Sequence, residues 1–196
     1  MDQKIPIHKV GVVVVVKYDH KEWQTLLLRP NPKKNDRTPP LVPPRGTRQY
    51  QDADGEWKDA REVEDAIAHA KKEWEKFADT AQRELWEEAG IAPELSNKRG
   101  LTEIGEREYI ALHKPEEERG APYRIHWFLL ELKPDDIDVQ KKLPEDATEI
   151  GWFTLEKMEE KAALGEARPG YVAIVKEAME LAAKRSEARG TRARSR

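Results

Sequence analysis

Arg83-Glu84-Leu85-Trp86-Glu87-Glu88-Ala89-Gly90-Ile91 is the stretch of this 196-residue chain on which the reading of the fold turns. Taken as a helix, it places Glu84, Glu87 and Glu88 at i, i+3 and i+4, so three carboxylates share one face. Ala81, Leu85 and Ala89, spaced by four, form another face that can pack on a sheet. Gly90 stands where a left-handed residue is expected to end the helix. Three like charges on one face repel each other, and a divalent cation removes that penalty. Carboxylate oxygens suit Mg²⁺ or Mn²⁺ better than softer metals. Arg83, beside them, can hold one carboxylate through two parallel hydrogen bonds. Three acids on a helix also read as an ordinary solvated face, so the chemical reading rests on the whole string.

Upstream of this string, Asp79 reads as a helix cap, with Gln82 completing a capping box for a helix over residues 80–89. Residues 58–77 place Val63, Ala66, Ile67, Ala70, Trp74 and Phe77 on one face at helical spacing, which predicts an amphipathic helix. One continuous bent helix over residues 58–89 is the competing reading. Residues 46–55 are polar and read as loop. Residues 30–44 are a proline-rich loop carrying Lys33, Lys34 and Arg37, unsuited to a central strand. Residues 10–17 are β-branched and read as a buried strand, with residues 23–29 as its hairpin partner. Downstream, residues 101–112 suggest a strand pair or a strand bent at Gly105, and residues 123–132 a strong strand. Residues 151–154 read as a short strand, and residues 155–164 and 171–184 as helices. Residues 186–196 are basic and repetitive and are expected to be a disordered tail. This order of elements implies an α/β (α+β) sandwich formed by a single domain over residues 1–185.

Apolar residues make up 38% of the chain and charged residues 37%, so the surface is dense in ions. The net charge of −3 excludes a global basic field, and nucleic acid is not an expected partner. The absence of cysteine excludes disulfides, thiolate metal sites and cysteine nucleophiles. The longest apolar run, residues 10–16, is too short to span a bilayer, and the N-terminus lacks the shape of a signal peptide. A cytoplasmic protein without a membrane partner is expected, as a monomer or homodimer.

The string from Arg83 to Ile91 resembles the core of the Nudix signature: Arg, Glu, aliphatic, any, Glu, Glu, any, Gly, aliphatic. Every fixed position is met, and Ala81-Gln82-Arg83-Glu84 is similar to the family's usual approach to it. Pro43-Pro44-Arg45-Gly46 is similar to the Pro-Pro-Lys-Gly segment that leads into the signature in Nudix hydrolases of dinucleoside polyphosphates. Glu149-Ile150-Gly151-Trp152-Phe153 resembles the late strand of the family. The resemblance spans about residues 5–185 and implies an α/β/α sandwich with a mixed sheet. The signature's opening glycine is not found at its usual spacing, where His69 stands. Gly46 fits by context, which places an insertion, including an amphipathic helix, at about residues 47–77. For the signature's first glutamate, Glu75 keeps the spacing and Glu56 keeps the look of the loop; Glu75 is preferred.

This resemblance implies Mg²⁺-dependent, or Mn²⁺-dependent, hydrolysis of a pyrophosphate bond in a nucleotide-type substrate. It assigns Glu84, Glu87 and Glu88 to the metal and Arg83 to their orientation. The general base is open between Glu84 and the group Glu145, Asp146 and Glu149. Arg45 and Gly46 are expected to bind phosphate, with Lys33, Lys34, Arg37 and Arg48 as further basic candidates. Tyr50, Tyr123 and Trp127 are candidates for stacking on a base, core packing being the better reading of Trp127. His126 faces the other side of the sheet from Trp127, where it could touch substrate. The expected substrate is a dinucleoside polyphosphate such as diadenosine tetraphosphate. ADP-ribose, sugar nucleotides and nucleoside triphosphates are the alternatives within the enzyme class, and a non-catalytic ligand sensor is the alternative outside it.

Overall fold

The computed structural model describes residues 7–19, 21–32, 38–59, 73–109, 123–136 and 147–194. The β-branched run forms β1 (Ile7–Asp19), which turns into β2 (Glu22–Pro30) as an antiparallel hairpin, with Val16 opposite Thr25. Lys21 takes the positive φ of 71° that the tight reversal needs. The chain continues through β3 (Gly46–Thr47), β4 (Gln49–Gln51), β5 (Trp57–Asp59) and β6 (Glu73–Trp74) to α1 (Phe77–Ala89) and α2 (Pro93–Arg99). Then follow β7 (Thr102–Tyr109), β8 (Tyr123–Leu132), β9 (Ala147–Thr154), α3 (Leu155–Ala163) and α4 (Pro169–Arg194).

The main sheet runs in the order β7-β8-β1-β2-β9, with β3 paired to β1. It is mixed: β1 and β8 are parallel, while the other pairs are antiparallel. Both faces are covered, which is why the central strands are apolar on both sides. On β8, Ile125, Trp127 and Leu129 point into one core with Met158 of α3 and Ile174, Val175 and Ala178 of α4. Phe128, Leu130 and Leu132 point into a second core with Ala81, Leu85 and Ala89 of α1. Each fully buried leucine here removes apolar surface worth roughly 2 kcal/mol. The fold is thus the expected α/β/α sandwich.

Several local expectations are corrected. The stretch from residue 58 to 77 is not one helix. Its ends, Trp57–Asp59 and Glu73–Trp74, are strands flanking β4 in a separate three-stranded sheet ordered β5-β4-β6. Residues 60–72, which hold the rest of that predicted helix, lie outside the described residues. The reason for the strands is non-local: Tyr50 on β4 packs edge-on against Trp74 on β6 with ring centroids 5.4 Å apart. Residues 46–51, expected to be loop, become β3 and β4 through the same pairings. The helix expected from Thr80 begins at Phe77, with Lys76 at the cap position. Asp79 therefore sits in the first turn, where its charge suits the helix dipole, and Gln82 bonds to Asn97 at 2.5 Å. Gly90 does terminate α1 in the left-handed region, at φ 65°.

At the other end, α4 continues through Arg194, so the segment expected to be a disordered tail is helical as far as that residue. Alanines at 182, 183 and 188 favour the helix. Arg185 and Arg189 are both held by Glu131 of β8, at 3.4 and 3.3 Å. Gly105 bends β7 at an irregularity in its pairing with β8, which selects the bent strand over a strand pair. No helix among the described residues is long and apolar enough to cross a membrane.

Candidate active site

One face of α1 packs Ala81, Leu85 and Ala89 on the sheet. The neighbouring face carries the acids into a cleft of about 370 Å³. The cleft is lined by Arg45, Gly46, Thr47, Gln49, Asp59, Arg83, Glu84, Glu87, Glu88 and Ile125. Helical spacing delivers the carboxylates. What brings them against a second wall is β3, which pairs Gly46 with Val10 of the central strand.

Arg83 is the hub. Its Nε and Nη2 donate to the two oxygens of Glu75 at 3.1 and 3.2 Å, the two-pronged geometry that a guanidinium makes with a carboxylate. Nη1 donates to Glu84 at 2.7 Å and to Glu87 at 2.8 Å, and Nη2 also donates to the Thr47 carbonyl at 3.0 Å. Burial works against this charge, but the hydrogen bonds to Glu75 and the charges of Glu84, Glu75 and Glu87 hold the Arg83 pKa above its ordinary value. Glu75 is fixed in turn by the Thr80 hydroxyl at 2.8 Å and the Gln49 N–H at 3.3 Å. Between the two glutamates weighed from sequence, the structure sets Glu75 at Arg83. It leaves Glu56 exposed beside Lys58 in the β4–β5 turn.

The Pro43-Pro44-Arg45-Gly46 segment meets the acids with its backbone. The Arg45 N–H donates to Glu88 Oε2 at 2.5 Å. Gly46 lies so close to Glu84 that a Cβ there would fall 1.7 Å from Oε1, so only glycine fits while the carboxylate stays in place. Burial pushes Glu84 up to about 7 against the opposing charge of Arg83, with Glu87 adding to the rise. Burial likewise pushes Glu88 up to about 8 despite the Arg45 N–H, with Glu84 contributing. The protein therefore does not fully compensate the charge these two carboxyls would carry once ionised, and both favour their protonated forms at neutral pH.

Such a donor set suits a hard divalent cation: oxygen ligands only, several carboxyls together, and a glycine that lets the backbone close on Glu84. Among the described residues, no three acidic or imidazole side chains yet converge tightly enough to hold an ion as they stand. Glu84 and Glu87 would have to turn from Arg83 toward it. Glu84, Glu87 and Glu88 fit a divalent ion by the chemistry of their oxygens and line one cleft, with Arg83 bonded to the first two and the Arg45 N–H to the third.

The other candidates fall elsewhere. Arg45 lines the cleft, and its guanidinium donates to the Tyr171 hydroxyl. Arg48 points away: its guanidinium lies 4.4 Å from the Phe77 ring centre and 5.4 Å from that of Trp74, and Nε donates to the Glu75 carbonyl. Burial lowers its pKa against the pull of Glu75. Tyr50 is buried in the small sheet against Trp74, and Trp127 is buried in the main core, so neither is free to stack on a base. His126 is buried and stacked on Phe77 at 3.6 Å, with Nδ1 3.2 Å from Glu103. It serves the packing of α1 rather than the cleft. Glu149 is bonded to Arg29 at 2.8 Å and does not line the cleft. Tyr123 opens β8 opposite Ile7 and Tyr109. Lys33, Lys34, Arg37, Glu145 and Asp146 lie outside the described residues. Sequence reasoning missed Thr47, Gln49 and Asp59 as cleft residues, because the strands that deliver them read as loop and helix.

A sheet sandwiched between helices, with an acid-bearing helix facing the backbone at Arg45 and Gly46 across a polar cleft, is an α/β/α sandwich with one concentrated acidic site. The NUDIX domain model matches residues 8–173, and the chain belongs to the Nudix family as a Nudix hydrolase. No curated protein matches the sequence. Among solved structures, the chain is similar to a C. elegans Ap4A hydrolase in a binary complex, at 19% identity, covering 91% of this chain and 98% of that one with a TM-score of 0.54. It is similar to a NUDIX hydrolase from Alicyclobacillus acidocaldarius at 17% identity, covering 88% and 90% with a TM-score of 0.55. It is also similar to the NUDIX domain of Shewanella oneidensis NrtR complexed with ADP ribose, at 12% identity, covering 90% and 88% with a TM-score of 0.54. At these identities the likeness speaks for the fold.

Proposed function

We propose that this Nudix hydrolase cleaves a phosphoanhydride bond in a dinucleoside polyphosphate such as diadenosine tetraphosphate, with Mg²⁺ or Mn²⁺ held by Glu84, Glu87 and Glu88. The observation that carries the chemistry is the meeting of the acidic face of α1 with the backbone at Arg45 and Gly46 inside one cleft. A bound divalent ion would neutralise phosphate charge and activate water for in-line attack. Arg83 and Glu75 hold the acids in position, and Arg45 offers a cation to the phosphate chain. Among the described residues, Glu84 is the base candidate that lines the cleft. The substrate reading is supported by the Pro-Pro-Arg-Gly segment and by the similarity to an Ap4A hydrolase.

The test is product analysis of purified protein with Mg²⁺, offered diadenosine tetraphosphate, ADP-ribose and a nucleoside triphosphate in parallel. ATP plus AMP from the first, with little from the others, is the expected result. Preferential cleavage of ADP-ribose or the triphosphate would keep the chemistry and overturn the substrate. No cleavage of any of them, with Mg²⁺ or Mn²⁺, would favour a ligand sensor.

A further inference from the structure

Arg45 faces two ways. Its backbone N–H holds Glu88, while its guanidinium reaches the C-terminal helix, donates to the Tyr171 hydroxyl and lies 5.4 Å from the centre of the Tyr171 ring. Tyr171 belongs to the first turn of α4 and is buried, its ring edge-on to Trp127 with centroids 5.7 Å apart. The same two chain segments are joined a second time. The Leu41 N–H donates to the Glu166 carbonyl at 2.7 Å, and Leu41 pairs with Ala167 in a parallel bridge. The segment over residues 41–45 is thus tied to residues 166–171, at and just before the start of α4, at both of its ends.

This attachment has an electrostatic use. Arg45 lines a cleft with Asp59, Glu84, Glu87 and Glu88, and an unrestrained guanidinium would be drawn onto those carboxylates. That would cancel the charge available to a cation. The phenol, buried in the core behind the cleft, takes one of its N–H groups instead and leaves others for an anion. It also removes rotamer freedom from a long side chain before any ligand arrives.

We propose that Tyr171 is a positioning residue for phosphate recognition, holding the Arg45 guanidinium ready for the phosphate chain and away from the metal-binding acids. The proposal rests on the polyphosphate reading of the cleft. Tyr171→Phe keeps the ring against Trp127 and removes only the hydroxyl. The measurement is calorimetric binding of inorganic tripolyphosphate with Mg²⁺ to the full chain, for wild type, Tyr171→Phe, Arg45→Ala and the double variant. Steady-state turnover is measured alongside.

Loss of a hydrogen bond to a charged group predicts about tenfold weaker binding in Tyr171→Phe. KM should rise by a similar factor and kcat should change little, because Glu88 is still held by the Arg45 backbone. The double variant should bind no more weakly than Arg45→Ala, since both changes remove the same interaction. Arg45→Lys keeps the charge without the fork and should lose a similar factor, which provides a second reading if Tyr171→Phe does not fold. Additive losses in the double variant would overturn the proposal, as would wild-type affinity in Tyr171→Phe or, should that variant fail to fold, in Arg45→Lys. A wild type that binds no tripolyphosphate would overturn the polyphosphate reading itself, and this inference with it.

Discussion

Two of the described arginines, Arg29 and Arg83, each bond more than one carboxylate, and the two clusters differ in burial and in charge balance. Arg29, on β2, bonds Glu149 and Glu166 and the Pro39 carbonyl at 2.8, 3.4 and 2.8 Å. Both of those glutamates are open to water, with side-chain exposures of 41% and 39%. Hydrogen bonding to Lys161, with Lys161 and Arg29 as neighbouring charges, holds Glu166 below the ordinary carboxylate range. There the charges are matched and solvated. Arg83 faces Glu75, Glu84 and Glu87 on a buried wall, with Glu88 close by, and the result is the opposite: Glu84 and Glu88 are driven upward. The first cluster ties strands and loops together. The second holds acids whose ionisation the cleft does not compensate, a cost that a bound cation would relieve.

The comparison breaks most sharply under substitution of the acids. Glu88→Gln and Glu84→Gln should each lower kcat/KM by on the order of a thousandfold while circular dichroism stays native, on the scale of removing a principal electrostatic group from an active site. Wild-type-like turnover in either would remove the cleft from the reaction.

Gly46→Ala comes next. Its methyl group cannot coexist with the Glu84 carboxylate where it now stands, so the carboxylate must move. Activity should fall about a hundredfold, a loss in line with misplacing a catalytic group by about an ångström. A crystal structure of the variant would show a displaced Glu84, and an unmoved carboxylate with full activity would contradict the close approach.

The pH response sharpens the contrast further. In the metal-free folded protein, Glu84 and Glu88 keep their protons up to about pH 7 and 8, whereas unfolded they release them near the ordinary value of 4.5. The folded state therefore binds more protons between these limits. The contribution of these groups to stability is greatest below about pH 4.5 and is lost as pH rises through 7 to 8. Urea unfolding of metal-stripped protein should show this decline, and it should be shallower in Glu88→Gln. Because a cation requires the deprotonated acids, Mg²⁺ should raise the melting temperature more at pH 8 than at pH 6. An equal rise at both values would argue against these ligands.

The smallest effect belongs to the other cluster. Glu149→Gln, in a partly exposed pair, should change stability by no more than about 1 kcal/mol and turnover by no more than about threefold. A loss comparable to that of Glu88→Gln would restore Glu149 as a general base and dissolve the distinction between the two clusters.

The local parts of this protein were legible in its residues. The spacing of Glu84, Glu87 and Glu88 put them on one helical face, Gly90 ended that helix, and residues 123–132 read as a strand with His126 and Trp127 on opposite faces. These features depend on backbone geometry within a few residues, so a linear pattern suffices to express them. The strands at Gln49–Gln51, Trp57–Asp59 and Glu73–Trp74 were not legible, because strand pairing joins segments far apart in the chain and periodicity in one segment says nothing of its partner. Spacing already favoured Glu75 over Glu56, and the fold sets it against Arg83; tertiary structure alone decided that Gly46 presses on Glu84. It also decided that Arg45 turns to Tyr171 and that the basic end of α4 stays helical as far as Arg194. Each of these rests on contacts between segments far apart in sequence, where packing and charge act through space.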